Sequence, residues 1–190
     1  MPDVARLSAR RRILLTAYDL FSQRGVRDVS VDEIIRTSGV AIATFYRHYE
    51  SKDKLAEEFL RLRAEVWSTD AIVAESGRRT AEPRARLLSI FEIFDEWFRR
   101  DDFEGDSFVN VLIEMGPEHP LGRASIQHLG DVRASVERIA EEASLRDPPN
   151  FARAYQLLMK GAIIGAMMGD TDAARRTKVV AELLIAEHAP

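Results

Sequence analysis

The chain has no cysteine, so no disulfide framework staples it and no thiolate is available to hold a metal or act as a nucleophile. A structural zinc site would have to be assembled from four histidines scattered at 48, 119, 128 and 188, which excludes one by spacing. Long apolar runs are also missing. Ile13 to Ala17 follows Arg10, Arg11 and Arg12 and briefly imitates a signal peptide, but Asp19 ends it and no small-residue cleavage site follows. The run from Gly161 to Gly169 is about half of the roughly 20 residues that a membrane span requires. A soluble cytoplasmic protein with no membrane partner is therefore expected. Strand-like alternation, internal repeats and low-complexity tracts are absent too, which leaves no basis for a sheet or a solenoid.

What is present is enough for a sizeable core: 190 residues, 46% of them hydrophobic and 31% charged. The net charge of −4 hides an asymmetry. Residues 1–49 hold eight arginines (6, 10, 11, 12, 24, 27, 36, 47) against five acids (3, 19, 28, 32, 33), a balance of +3 that leaves −7 for residues 50–190. A basic first quarter on an acidic remainder suits a DNA-reading head on a body that does not touch DNA.

Apolar residues recur at three- and four-residue spacing almost throughout, which predicts an all-α protein of about nine helices. Ile13, Ala17, Leu20 and Phe21 share one face of a helix from about residue 5 to Gln23, stopped by Gly25 in a left-handed conformation. Ser30-Val31-Asp32-Glu33 is a capping box opening a second helix, which ends at Ser38-Gly39. A short segment, Ala41 to His48, follows, and Ser51-Lys52-Asp53-Lys54 opens a longer helix with Leu55, Phe59, Leu62 and Val66 on one side. Beyond Trp67, helices are predicted at about 83–100, 106–115, 121–144, 151–169 and 172–187, with Pro148-Pro149 read as a break.

Two short helices around Gly39 make a helix-turn-helix, whose second helix lies in the major groove. Val40 and Phe45 pack back onto Ile34, Ile35 and Phe21. Ile42, Ala43, Thr44, Tyr46, Arg47 and His48 then face outward, where hydroxyls and an arginine meet phosphates and base edges. Tyr49 reads as a core aromatic. Plain readings stay open beside these: Tyr46 as core, Arg47 as a solvated arginine, His48 as a packed or solvent-facing ring, and Arg10 to Arg12 as a basic helix start.

The run Phe21-Ser22-Gln23-Arg24-Gly25, then Ser30 to Ile35, then Gly39-Val40-Ala41-Ile42-Ala43-Thr44-Phe45-Tyr46-Arg47-His48-Tyr49 and Ser51 to Leu55 resembles the TetR family of one-component transcriptional regulators. The likeness covers residues 10–60. It implies a helix-turn-helix DNA-binding domain over residues 1–52 and a helical effector-binding and dimerisation domain over 53–190. It implies phosphate contacts for the hydroxyls of Thr44 and Tyr46, and it matches His48 to the histidine of the family's Tyr-x-His segment. Lys52 is matched to a lysine that meets the DNA backbone, Ser30 to a capping hydroxyl near a phosphate, and the arm from Arg6 to Arg12 can lie along adjacent phosphates. Three departures bear on specificity. Ala41 stands where the family often has a capping serine, and Ile42 and Ala43 stand where polar or basic residues are common, so thymine methyl groups are the expected contacts. Asp32 can accept a hydrogen bond from cytosine N4.

In the body, the last two helices place Tyr155, Leu158, Ala162, Gly165 and Ala166 beside Val180, Leu183 and Leu184, and Gly161, Gly165 and Gly169 recur every four residues. These are expected to pair with their copies in a two-fold, four-helix interface, burial inside one subunit being the plainer alternative. The resemblance implies a pocket for a small effector of unknown identity, mainly apolar, whose binding releases DNA. Candidates to line it are Trp67, Phe91, Phe94, Trp97, Phe98 and Phe108, with Asn110, Glu114 and His128 as polar partners.

Enzyme readings lack their parts. Gly105-Asp106-Ser107 imitates a hydrolase tripeptide, yet no Asp-x-x-His follows it, and there is no G-x-S-x-G, P-loop, H-E-x-x-H or Glu-x-x-His pair. No enzyme, metal or cofactor is expected. The alternative to an operator-binding regulator is a helical dimer whose head grips a protein partner.

Overall fold

A computed structural model describes residues 7–66 and 69–190, which form ten helices and, among the described residues, no strand. The helices are α1 (Ala9–Arg24), α2 (Val31–Ser38), α3 (Ile42–His48), α4 (Lys52–Val66), α5 (Thr69–Arg79), α6 (Pro83–Phe98), α7 (Ser107–Met115), α8 (Pro120–Glu142), α9 (Pro148–Met167) and α10 (Ala173–Glu187). None is long and apolar enough to cross a membrane. Two compact units divide the chain: residues up to Ala64 with Ser107–Gln127, and Glu65–Asp106 with His128–Pro190.

In the first unit, α1 buries Ile13, Leu14, Ala17 and Phe21, α2 buries Ile34 and Ile35, and α4 supplies Leu55, Ala56, Phe59 and Leu60. Phe59 meets both Tyr18 and Phe21 edge-on at 5.5 Å. In the second unit α6, α9 and α10 close on one another around Leu87, Ile90, Phe91, Phe94, Phe151 and Tyr155. The hydroxyl of fully buried Tyr155 donates to the carbonyl of Leu87, so the one polar atom of that ring is satisfied.

Two elements differ from the sequence expectation. Helix α5, which runs through Gly77, was not anticipated; its Ile72 and Val73 pack against the second core. Helix α9 begins at Pro148 rather than after the proline pair. Asp147 caps it by accepting from the amide of Asn150, and proline is tolerated in a first turn whose amides have no helical partner.

Candidate nucleic-acid interface

The recognition element is assembled by local chemistry. The Ser30 hydroxyl accepts from the amide of Glu33 at 3.1 Å and starts α2. Only half of the expected capping box forms, because the Glu33 carboxylate turns to Arg24, 2.6 Å away. That guanidinium holds the Glu33 carboxyl below its ordinary range. Helix α2 ends at Gly39 with φ 65° and ψ 35°, the left-handed turn residue expected from the sequence. Gly25, at φ 83° and ψ 167°, is not left-handed helical but in a region that is essentially glycine's alone.

Helix α3 has seven residues, too few to hold together unsupported. Its anchor is Phe45, fully buried, which contributes about 1.5–3 kcal/mol on general grounds. With Phe45 turned inward, Ile42 is 61% and Tyr46 53% exposed, Ala43 and Arg47 are exposed, and Thr44 and His48 are half-buried. Tyr49 is buried, its ring beneath the guanidinium of Arg10. Ala41 makes no side-chain cap bond although its backbone, φ −74° and ψ 150°, has the geometry of a capping residue. Ala41→Ser is therefore expected to stabilise the head by about 1 kcal/mol, read as a rise in denaturant midpoint; no rise would show that the turn already satisfies those amides.

Several basic residues hold the head together instead of projecting from it. The Lys52 ammonium donates to the carbonyls of Val26, Val29 and Arg27 at 2.8, 3.1 and 3.4 Å, which occupies all three of its protons. It is thus not the free phosphate contact that the resemblance implied. Arg10 forks onto Glu58 at 2.8 and 3.0 Å, and Arg12 donates to the carbonyls of Ser38 and Leu7. Of the expected arm Arg10 and Arg11 are exposed, Arg10 with its charge paired to Glu58, and Arg6 lies outside the described residues. Arg36 and Arg47 are exposed as well, so the basic surface is carried by α2 and α3 more than by the start of α1.

The effector-pocket candidates separate between the two units. Phe91, Phe94, Trp97 and Phe98 are buried in the second core, with Phe94 5.8 Å from Trp97 and with Phe103 4.9 and 5.0 Å from Trp97 and Phe98. His128, in the same unit, is half-buried, and burial pushes its imidazole below the ordinary range. Phe108 and Asn110 belong to the first unit, one buried and one half-buried. Glu114 is also there and does not act as a loose polar group: its carboxylate accepts from the amides of Val26 and Arg27. Trp67 lies outside the described residues. A cleft of about 380 Å³ in the second unit is lined by Phe91 and charged residues, but its ion pairs Arg79–Glu96, Arg175–Asp95 and Lys178–Glu92 already use those charges. Among the described residues no cluster of three or more histidines or acids is placed to hold a metal.

The expected dimer face is rotated. Tyr155 and Ala162 are enclosed by their own chain, and Leu158, Ala166 and Leu184 pack against its core. Gly165 meets Ala173 of α10, and Gly169 lies beyond the end of α9 with φ 92°. The apolar residues left outward on α9 and α10 are Leu157, Gly161, Ile164, Met167, Val179, Val180 and Leu183, with Leu183 67% exposed and Met168, the cap of α9, 82% exposed. Both faces of α9 are apolar, so periodicity had no means of telling the intrachain face from the outer one.

Residues 13–59 match the sequence pattern described as bacterial regulatory proteins, tetR family. An uncharacterized HTH-type transcriptional regulator of Bacillus subtilis, YdgC, is 29% identical over 99 residues, 47% of this chain and 49% of that one. The HTH-type transcriptional repressor KstR2 of Rhodococcus jostii is 37% identical over 60 residues, 31% of this chain and 29% of the relative. The matched stretches thus span half or less of the length of these curated relatives. Among solved structures, a TetR-type transcriptional regulator of Streptomyces avermitilis (sav143) superposes with a TM-score of 0.83 at 28% identity, covering 96% of this chain and 98% of that one.

Proposed function

We propose that the chain is a TetR-type transcriptional regulator rather than an enzyme, a repressor that binds a palindromic operator as a homodimer and is released by a small, mainly apolar effector; the match of residues 13–59 and the superposition over 96% of the chain support this reading. Residues 1–52 read DNA in this account, and residues 53–190 hold the effector and the dimer contact. The observation that carries it is the exposed row on α3: Ile42, Ala43, Tyr46 and Arg47 face outward on a helix whose only large inward residue is Phe45. Thr44, Tyr46, Arg47 and His48 are the phosphate and base-edge partners, Ser30 lies at the start of α2, and Ile42 and Ala43 contact thymine methyl groups. Lys52 acts indirectly, by holding the turn that carries α2. A cytoplasmic location follows from this role.

Operator binding divides experimentally into positioning and readout. Tyr46→Phe removes a hydroxyl and should weaken all duplexes by a similar factor, whereas Ile42→Ala should change which duplex is preferred, each mismatch being worth about 1–3 kcal/mol. Fluorescence anisotropy on a panel of duplexes measures both; identical preference in Ile42→Ala would remove Ile42 from the readout.

The outward row of α9 and α10 supports the dimer. A contiguous apolar face of this kind is costly to leave in water, and an isologous contact with its own copy covers it. Leu183→Glu should therefore reduce the light-scattering mass from two chains to one. A wild-type mass of one chain at working concentration would end the dimer proposal. The effector part rests on the ring cluster of Phe94, Trp97, Phe98 and Phe103, which offers apolar and aromatic surface rather than charge.

A further inference from the structure

The turn between α1 and α2, residues 25–29, is gripped from both sides by opposite charges. Its carbonyls at Val26, Arg27 and Val29 receive the Lys52 ammonium. Its amides at Val26 and Arg27 are 2.9 and 3.4 Å from one oxygen of Glu114, 88 residues further along the chain from Val26. The approach is close enough that a Cβ on Gly25 would lie 1.7 Å from the other carboxylate oxygen. Val26 and Val29 are buried, so the turn is pinned by its side chains as well as by its backbone. The stretch that follows α7 also reaches α4: His119 Nε2 lies 3.4 Å from Asp53.

We propose that Glu114 is a positioning residue for DNA reading, the group through which α7 holds the helix-turn-helix; this rests on the operator-binding function proposed above. The turn ends at Ser30, which caps α2, and α2 sets α3 through Gly39, so the orientation of the turn is passed to the recognition helix. Helix α7 starts at Ser107, directly after Asp106, the last residue of the adjoining stretch of the second unit. A carboxylate on two backbone amides is a charge-assisted contact, stronger than an ordinary surface pair and aimed at atoms that no substitution in the turn removes, proline apart. Displacement of α7 therefore carries the turn with it, and Glu114 fixes the half-site spacing that a dimer tolerates.

The test uses the full chain with Glu114→Ala and Glu114→Gln. Without DNA, amide exchange in residues 25–29 should quicken by about ten-fold or more in Glu114→Ala, with α3 unchanged and Glu114→Gln intermediate, because glutamine keeps an acceptor of the same length. With DNA, inverted repeats whose spacer is lengthened or shortened by one and two base pairs are compared. Wild type should discriminate by about ten-fold or more and Glu114→Ala by about three-fold or less, with affinity for the best spacer nearly retained. Unchanged exchange at residues 25–29, or unchanged spacer discrimination, overturns the proposal. If Glu114→Ala quickens exchange in α3 too, Glu114→Gln decides: partial loss of discrimination supports the proposal and full retention overturns it. If wild type binds no duplex, the operator-binding function fails, and the exchange measurement alone decides whether Glu114 holds the turn.

Discussion

Gly25→Ala is expected to cost about 3 kcal/mol or more, from two terms of different origin. The first is backbone: at φ 83° and ψ 167° an L-residue is strained by about 1–3 kcal/mol. The second is the Glu114 carboxylate, which a Cβ would meet at 1.7 Å and which would have to leave the amides of Val26 and Arg27. Giving up a hydrogen bond to a charged group costs about 1.5–3 kcal/mol. Together these correspond to a fall in Tm of roughly 6–12 °C. Gly39→Ala provides the contrast, because Gly39 is left-handed helical with no atom near its would-be Cβ, and should cost only about 1–2 kcal/mol. Adding Glu114→Ala to Gly25→Ala should make the two changes less than additive, since the contact is lost once; strict additivity in this cycle would show that the two sites do not interact.

The second large effect is on DNA affinity, which should fall by roughly 10³ as salt rises from 50 to 200 mM. Arg11, Arg27, Arg36 and Arg47 are exposed on each head, so the proposed dimer brings at least six cations to the phosphates, and each released counterion adds to the salt dependence. Arg10, Arg12, Arg24 and Lys52 are excluded from this count because their charges are spent on Glu58, Glu33 and backbone carbonyls. A log–log slope near zero would indicate a mostly apolar contact, as expected of a head that grips a protein. Arg47→Ala should reduce the slope by about 2 per dimer, which separates a phosphate contact from a solvated arginine.

What the sequence made legible was local. Ser30 as a cap, Gly39 as the turn, Phe45 inward and Tyr46 outward all follow from residue types within a few positions of one another, and the structure places them so. What stayed illegible was long-range. Nothing near Lys52 in the chain indicates that its ammonium would find three carbonyls 23 to 26 residues away, and nothing near Glu114 points to an amide 88 residues earlier. Both were read as ligand contacts because exposed charges in a binding family suggest ligands, while buried backbone groups needing a partner leave no mark in a sequence. The face of α9 was illegible for another reason: with Tyr155 and Ala162 inward and Leu157, Ile164 and Met167 outward, it carries apolar residues on both its inner and its outer side.

Helix α3 is proposed to read DNA as one half of a two-fold pair. Selection of duplexes from a random pool by the purified full-length protein tests it most directly. The expected result is an enriched inverted repeat, its half-sites about one helical turn apart or more and rich in thymine where Ile42 and Ala43 meet the bases. A pool that stays random, from a folded dimer at low salt, would contradict it and favour a protein partner for the same exposed helix.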